Sequence, residues 1–158
     1  SGPRLFSSGR VVRGPRDGVM SSAQMLVPAR FLTMIGHFIA CLMVFWSRGD
    51  NVRAGLPLQY SQAQFEGAEA SLVVALSLTM VVFGIELVGF WSGLTMFSHG
   101  HNFMHVLAHV IGCVCVCVFI LEGTHYVLYW LYFALFSAIP GALELGRILS
   151  VTVIRKQW

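Results

Sequence analysis

Charged side chains are scarce in this sequence. Ten Lys and Arg and seven Asp and Glu make up 11% of 158 residues, against roughly 25% in soluble domains. That shortage excludes an ordinary water-soluble domain, and 56% hydrophobic residues point the same way. The four cysteines, Cys41, Cys113, Cys115 and Cys117, lie inside apolar runs and not in the spacing of a secreted disulfide framework. On a helix Cys113 and Cys117 share a face and Cys115 points away, so they read as small hydrophobes. Asn51 and Asn102 both lack the hydroxyl residue of a glycosylation sequon. A Ser–His–Asp arrangement is missing too, so no catalytic residue is nominated and the chain reads as a non-enzyme. The net charge of +3 resides in the two tails, where it speaks of membrane topology and not of nucleic acid.

What is present is length without polarity. Residues 72–97 contain one ionisable group, Glu86. As a helix this run reaches roughly 39 Å, longer than a hydrocarbon core of about 30 Å. It lacks the recurring polar stripe of a soluble helix. Four spans are expected, at about 31–47, 72–97, 103–121 and 126–146, with Pro140 kinking the last. Arg30 and Arg48 bracket the first and are expected to snorkel to the headgroups; Trp46 falls where aromatic belts form. Residues 1–24, rich in Arg, Ser and Gly, read as a leader, either a disordered cytoplasmic tail or an extension foreign to the native chain; residues 25–158 form the membrane domain. Four spans put both ends on one side. With both termini cytoplasmic, that side carries Arg4, Arg10, Arg13, Arg16, Arg30, Arg147, Arg155 and Lys156, and the other only Arg48 and Arg53. This is a positive-inside distribution. The fold class is thus all-α, a four-helix transmembrane bundle.

Ionisable groups inside spans are costly, by about 2.5–3.5 kcal/mol at the centre on insertion scales, and should face protein. Counting rise per residue, His37 and His109 lie roughly 10 Å and Glu86 about 16 Å inside one boundary, with Glu144 in the same half. These four are expected to form a structural polar cluster, Glu86 pairing with His109, His37 or a hydroxyl. His101, His105 and His109 fall at i, i+4, i+8 and share a helical face, as zinc ligands often do. A small metal-ion or proton transporter using Glu86 and the histidines is therefore the alternative function. Against it, no acid accompanies the histidines on their own helix, and four spans leave little room for transporter repeats. No metal site and no cofactor is expected. Gly89 and Gly93, four apart in the second span, are expected to form a helix-packing or partner face.

Longer strings carry a resemblance. They are Leu26-Val27-Pro28-x-Arg30-Phe31-Leu32-Thr33, His37, Phe45-Trp46-Ser47-Arg48, Leu56-Pro57-Leu58, Leu72-Val73-x-Ala75-Leu76-Ser77-x-Thr79 and Glu86-Leu87-x-Gly89-Phe90-x-Ser92-Gly93. Further on come Met96-Phe97, Ala108-His109, Phe119-Ile120-x-Glu122, Tyr129-Trp130 and Ser137-Ala138-x-Pro140 with Glu144. In this order and spacing the chain resembles the transmembrane protein 107 family of the ciliary transition zone, over about Leu26 to Lys156. The resemblance implies a non-enzymatic scaffold of the Meckel-syndrome module, which helps assemble the gate that controls ciliary membrane composition and hence cilium assembly. It implies tectonic-type proteins, B9-domain proteins and other transition-zone membrane proteins as partners, beside the lipid bilayer. It supplies no catalytic residue. The leader ahead of Met25 is longer than the family pattern, and His101 and His105 depart from it, whereas His109 belongs to it.

Overall fold

In a bilayer a chain must satisfy its own backbone hydrogen bonds, and apolar runs of this length do so as helices. The computed structural model of the chain describes residues 22–93 and 98–155. Helix α1 is Ser22–Ala54, α2 is Gln62–Trp91 and α3 is His99–Leu121. The fourth helix has three parts: α4 (Leu128–Phe133), a π-helical turn (Ala134–Ala138) and α5 (Ile139–Arg155). No strand occurs among the described residues. Four helices, Met25–Ala54, Gln62–Trp91, His99–Leu121 and Leu128–Val153, are long and apolar enough to cross a membrane. The chain is a four-span helical membrane protein.

The helices outrun the expected spans because apolarity reports the thickness of lipid, whereas helix length is set by caps. The polar connection expected over residues 49–71 is largely helical. Its second half is the first turns of α2, started by a capping box in which Ser61 Oγ accepts from the Gln64 N–H (3.3 Å) and Gln64 Oε1 accepts from the Ser61 N–H (2.8 Å). At its other end α2 stops at Trp91, short of residue 97, and Gly93 follows with a φ of 71°. That left-handed conformation suits a residue without Cβ at a helix end. Residues 94–97 of the expected span, and residues 1–21 of the expected leader, lie outside the described residues. Residues 22–24, assigned to the leader, already belong to α1.

Pro140 acts through the helix ahead of it. It has no N–H to give and its ring crowds the carbonyl four residues back, at Phe136. The π turn lies over that position and takes up the misfit. The helix continues past Arg147, whose Nη2 donates to Ser98 Oγ at the surface (2.8 Å).

The bundle interior is divided along its length. Cys41, Val44, Leu72, Ala75, Leu76, Phe119 and Tyr129 form an apolar half. Asn51 closes that end. Its Nδ2 donates to the carbonyls of Phe119 (2.8 Å) and Thr124 (2.9 Å), and its backbone carbonyl accepts from the Tyr126 N–H (3.2 Å). Asn51→Leu removes the donor shared by two carbonyls at this turn, leaving that of Phe119 with the Thr124 N–H alone (3.3 Å), which costs about 1 kcal/mol. A lowered melting midpoint of the purified protein in detergent, with helix content preserved, is the expected reading. The outer faces carry exposed Leu32, Val81, Val88, Leu121 and Val153, as lipid contact requires. Trp46 and Trp91 stand exposed near the C-terminal ends of successive helices, hence toward opposite membrane faces.

Candidate functional site

The other half of the interior is polar, and every one of the four helices contributes to it. The α1 stripe Arg30, Met34, His37, Cys41, Val44 is fully or almost fully buried; its first member was expected at the headgroups. Arg30 is 0% exposed. Its Nη2 donates to Glu144 Oε2 on α5 (2.8 Å) and its Nη1 to Asn102 Oδ1 on α3 (2.9 Å). The guanidinium lies over the Phe90 ring of α2, 5.7 Å from the centroid. Snorkelling fails because α1 starts at Ser22, two turns earlier than the apolar run suggests, and because an acid lies within reach on the last helix. Arg48, by contrast, is part-exposed and pairs with Glu69 at 2.6 Å.

From Glu144 a ladder runs along α3. Its Oε2 lies 2.6 Å from His101 Nε2 and 3.5 Å from His105 Nε2. One turn further, His109 Nε2 is 2.9 Å from Glu86 Oε2 on α2, and its Nδ1 is 3.3 Å from His37 Nδ1 on α1. Glu86, His105, His109 and Glu144 are 0% exposed and His37 is 2%. Phe83 holds the two imidazoles at the inner end, stacked on His109 (centroids 5.6 Å, interplanar 25°) and edge-on to His37 (5.2 Å, 83°).

The four residues nominated from sequence thus fall into two groups. His109 touches both Glu86 and His37, while Glu144 stands one step away with Arg30, His101 and His105. His105 bridges them, and the acids missing from the histidine helix arrive from α2 and α5. Arg30 and Asn102 were not foreseen. For Arg30 a signal existed, since it lies seven residues before His37, on the same helix face.

Glycines make this packing possible. A Cβ on Gly89 would fall on the Glu144 carboxylate, with Cδ at 2.7 Å. On Gly112 it would lie 2.9 Å from His37 Nε2. Gly89 therefore faces the interior and receives a side chain of this same chain. Gly93 lies beyond the helix end, with nothing among the described residues within 4 Å of a Cβ placed on it, so the two glycines do not form one continuous helical face.

Comparison with known proteins places the chain in a wider group. The family model TMEM107, described as a transmembrane protein, matches residues 26–148. Transmembrane protein 107 of Danio rerio is 37% identical over 135 residues, 85% of this chain and 100% of the relative. Those of Xenopus laevis and Homo sapiens are 38% and 36% identical over 132 residues, 84% of this chain and 94% of each relative. No solved structure matches the chain.

Proposed function

The chain belongs to the transmembrane protein 107 family, and from that premise we propose that it is a non-enzymatic membrane scaffold of the ciliary transition zone. In this reading it helps assemble the Meckel-syndrome module and the gate that controls ciliary membrane composition. Its partners are tectonic-type, B9-domain and other transition-zone membrane proteins, and both termini face the cytoplasm.

The observation that carries the reading is the extent of the match, which runs from the first turns of α1 into α5 and takes in all four helices. The architecture supports it. The ionisable side chains of the spans face the bundle interior, whereas the apolar outer faces are turned to lipid and neighbouring spans.

Proximity labelling from the tagged protein in ciliated cells tests this. Enrichment of transition-zone membrane proteins at the ciliary base is expected, and a uniform membrane distribution without them overturns the reading. A chain begun at Met25 is expected to label the same set, because residues 1–24 precede the matched region. The histidine–carboxylate ladder favours one second reading, a transporter of metal ions or protons. Ion flux in liposomes that depends on Glu86 would decide for it.

A further inference from the structure

Two trios of side chains along the ladder bring one ligand atom each to within 4.8 Å of one another: Glu86, His105, His109, and His101, His105, Glu144. They differ in charge. Glu144 is already neutralised by Arg30 at 2.8 Å, and the same guanidinium would repel a cation placed there. Glu86 has no Lys or Arg within 4.0 Å among the described residues; its basic neighbour is His109.

They differ also in how their hydrogen bonds are met. Both oxygens of Glu86, both ring nitrogens of His105 and Nε2 of His109 are buried without a hydrogen-bond partner among the described residues. His109 Nε2 and Glu86 Oε2 are 2.9 Å apart, yet they are not aligned to share a proton. Buried groups left in this state are expensive in an apolar medium. A shared cation takes one atom from each of the three residues and so answers most of this deficit at once.

The geometry points to a binding site for one divalent ion of the zinc class on Glu86, His105 and His109. Two imidazoles and one carboxylate suit zinc or its first-row neighbours, and are too few and too nitrogen-rich for calcium or magnesium. Bonds of about 2.0–2.1 Å put tetrahedral ligands about 3.4 Å apart. The Glu86–His109 edge is already shorter, and side-chain torsions can draw in the rest.

His37 takes the supporting place. When His109 coordinates through Nε2, its Nδ1–H donates to His37 Nδ1 at 3.3 Å, which fixes tautomer and ring plane. The fourth position falls to water or to the second Glu86 oxygen. The ion joins α2 to α3, and through His37 to α1, in the polar half of the bundle interior.

The full chain, purified in detergent with a tag that contains no histidine and stripped with chelator, is titrated with Co²⁺ and then with Zn²⁺. The expected result is a saturable visible spectrum of four-coordinate Co²⁺ at about one equivalent per chain, displaced by Zn²⁺. Glu86→Gln is expected to weaken binding at least tenfold. His101→Gln, which removes a member of the other trio and no ligand of this one, should keep the wild-type affinity within about twofold, and His37→Ala should lose roughly tenfold. Zinc should raise the melting midpoint of the wild type and of His101→Gln, but not of Glu86→Gln. If Glu86→Gln is not monodisperse, His109→Gln replaces it with the same expectation. A wild type without a saturable Co²⁺ spectrum overturns the site. So does retention of binding in the Glu86 or His109 variant, or its loss in His101→Gln.

Discussion

Arg30→Met should be among the most damaging single substitutions in this protein, at about 3–5 kcal/mol. The cost comes from what it leaves behind. Glu144, 0% exposed, would keep its burial while losing the cation 2.8 Å away, and Asn102 would lose a donor. Adding Glu144→Leu to Arg30→Met should return part of the loss, because replacing both members of a buried pair by apolar groups removes the stranded charge. Unfolding of the three variants in mixed micelles reads this directly. If the double variant is less stable than Arg30→Met by the full cost of Glu144→Leu alone, the two sites are independent and the pair is not what stabilises the bundle.

Gly89→Leu should come next. The first atom of the new side chain would already lie 2.7 Å from Glu144 Cδ, and the carboxylate cannot swing away freely while Arg30 and His101 hold it. Overpacking of this kind costs typically 1–3 kcal/mol, and displacement of Glu144 adds to it. Gly84→Leu is the matched control on the same helix. Among the described residues nothing lies within 4 Å of the Gly84 Cβ position, so the change should stay within about 0.5 kcal/mol. Equal destabilisation by both would mean that any bulky residue in α2 is harmful and that the close approach of Glu144 is irrelevant. Loss of partner binding without loss of stability at Gly89 would mean that it meets another protein and not Glu144.

The four spans were legible because lipid imposes a length and a composition that show in any stretch of sequence. Residues such as Glu86 stood out for the same reason: a carboxylate in the middle of 26 apolar residues has no inconspicuous explanation. Arg30 escaped notice because a cation at the edge of an apolar run has an ordinary explanation at the headgroups. Only the start of α1 at Ser22 and the presence of Glu144 opposite it decide otherwise. Small-residue spacing proved ambiguous for a different reason. Gly89 and Gly93 are four apart in sequence, but the helix ends at Trp91 and turns Gly93 away. Histidine spacing on α3 correctly placed three imidazoles on one face, whereas the acids that meet them come from helices far along the chain, and one helix's pattern holds no trace of them. Legible features were set by the solvent, and hidden ones by helix-to-helix register.

The Arg30–Glu144 pair also has a history in time. The two residues are 114 positions apart, and at synthesis rates of about 5–20 residues per second roughly 6–23 s pass between their emergence. Throughout that interval the first helix holds a cation whose acid has not yet been made. Early helices must therefore either leave Arg30 at the lipid surface or wait beside the insertion machinery until α5 arrives. A chain cut short before α5 never leaves that state. Its first helix can sit in the bilayer only with a charge exposed, so the last helix to be made is the one that lets the first settle.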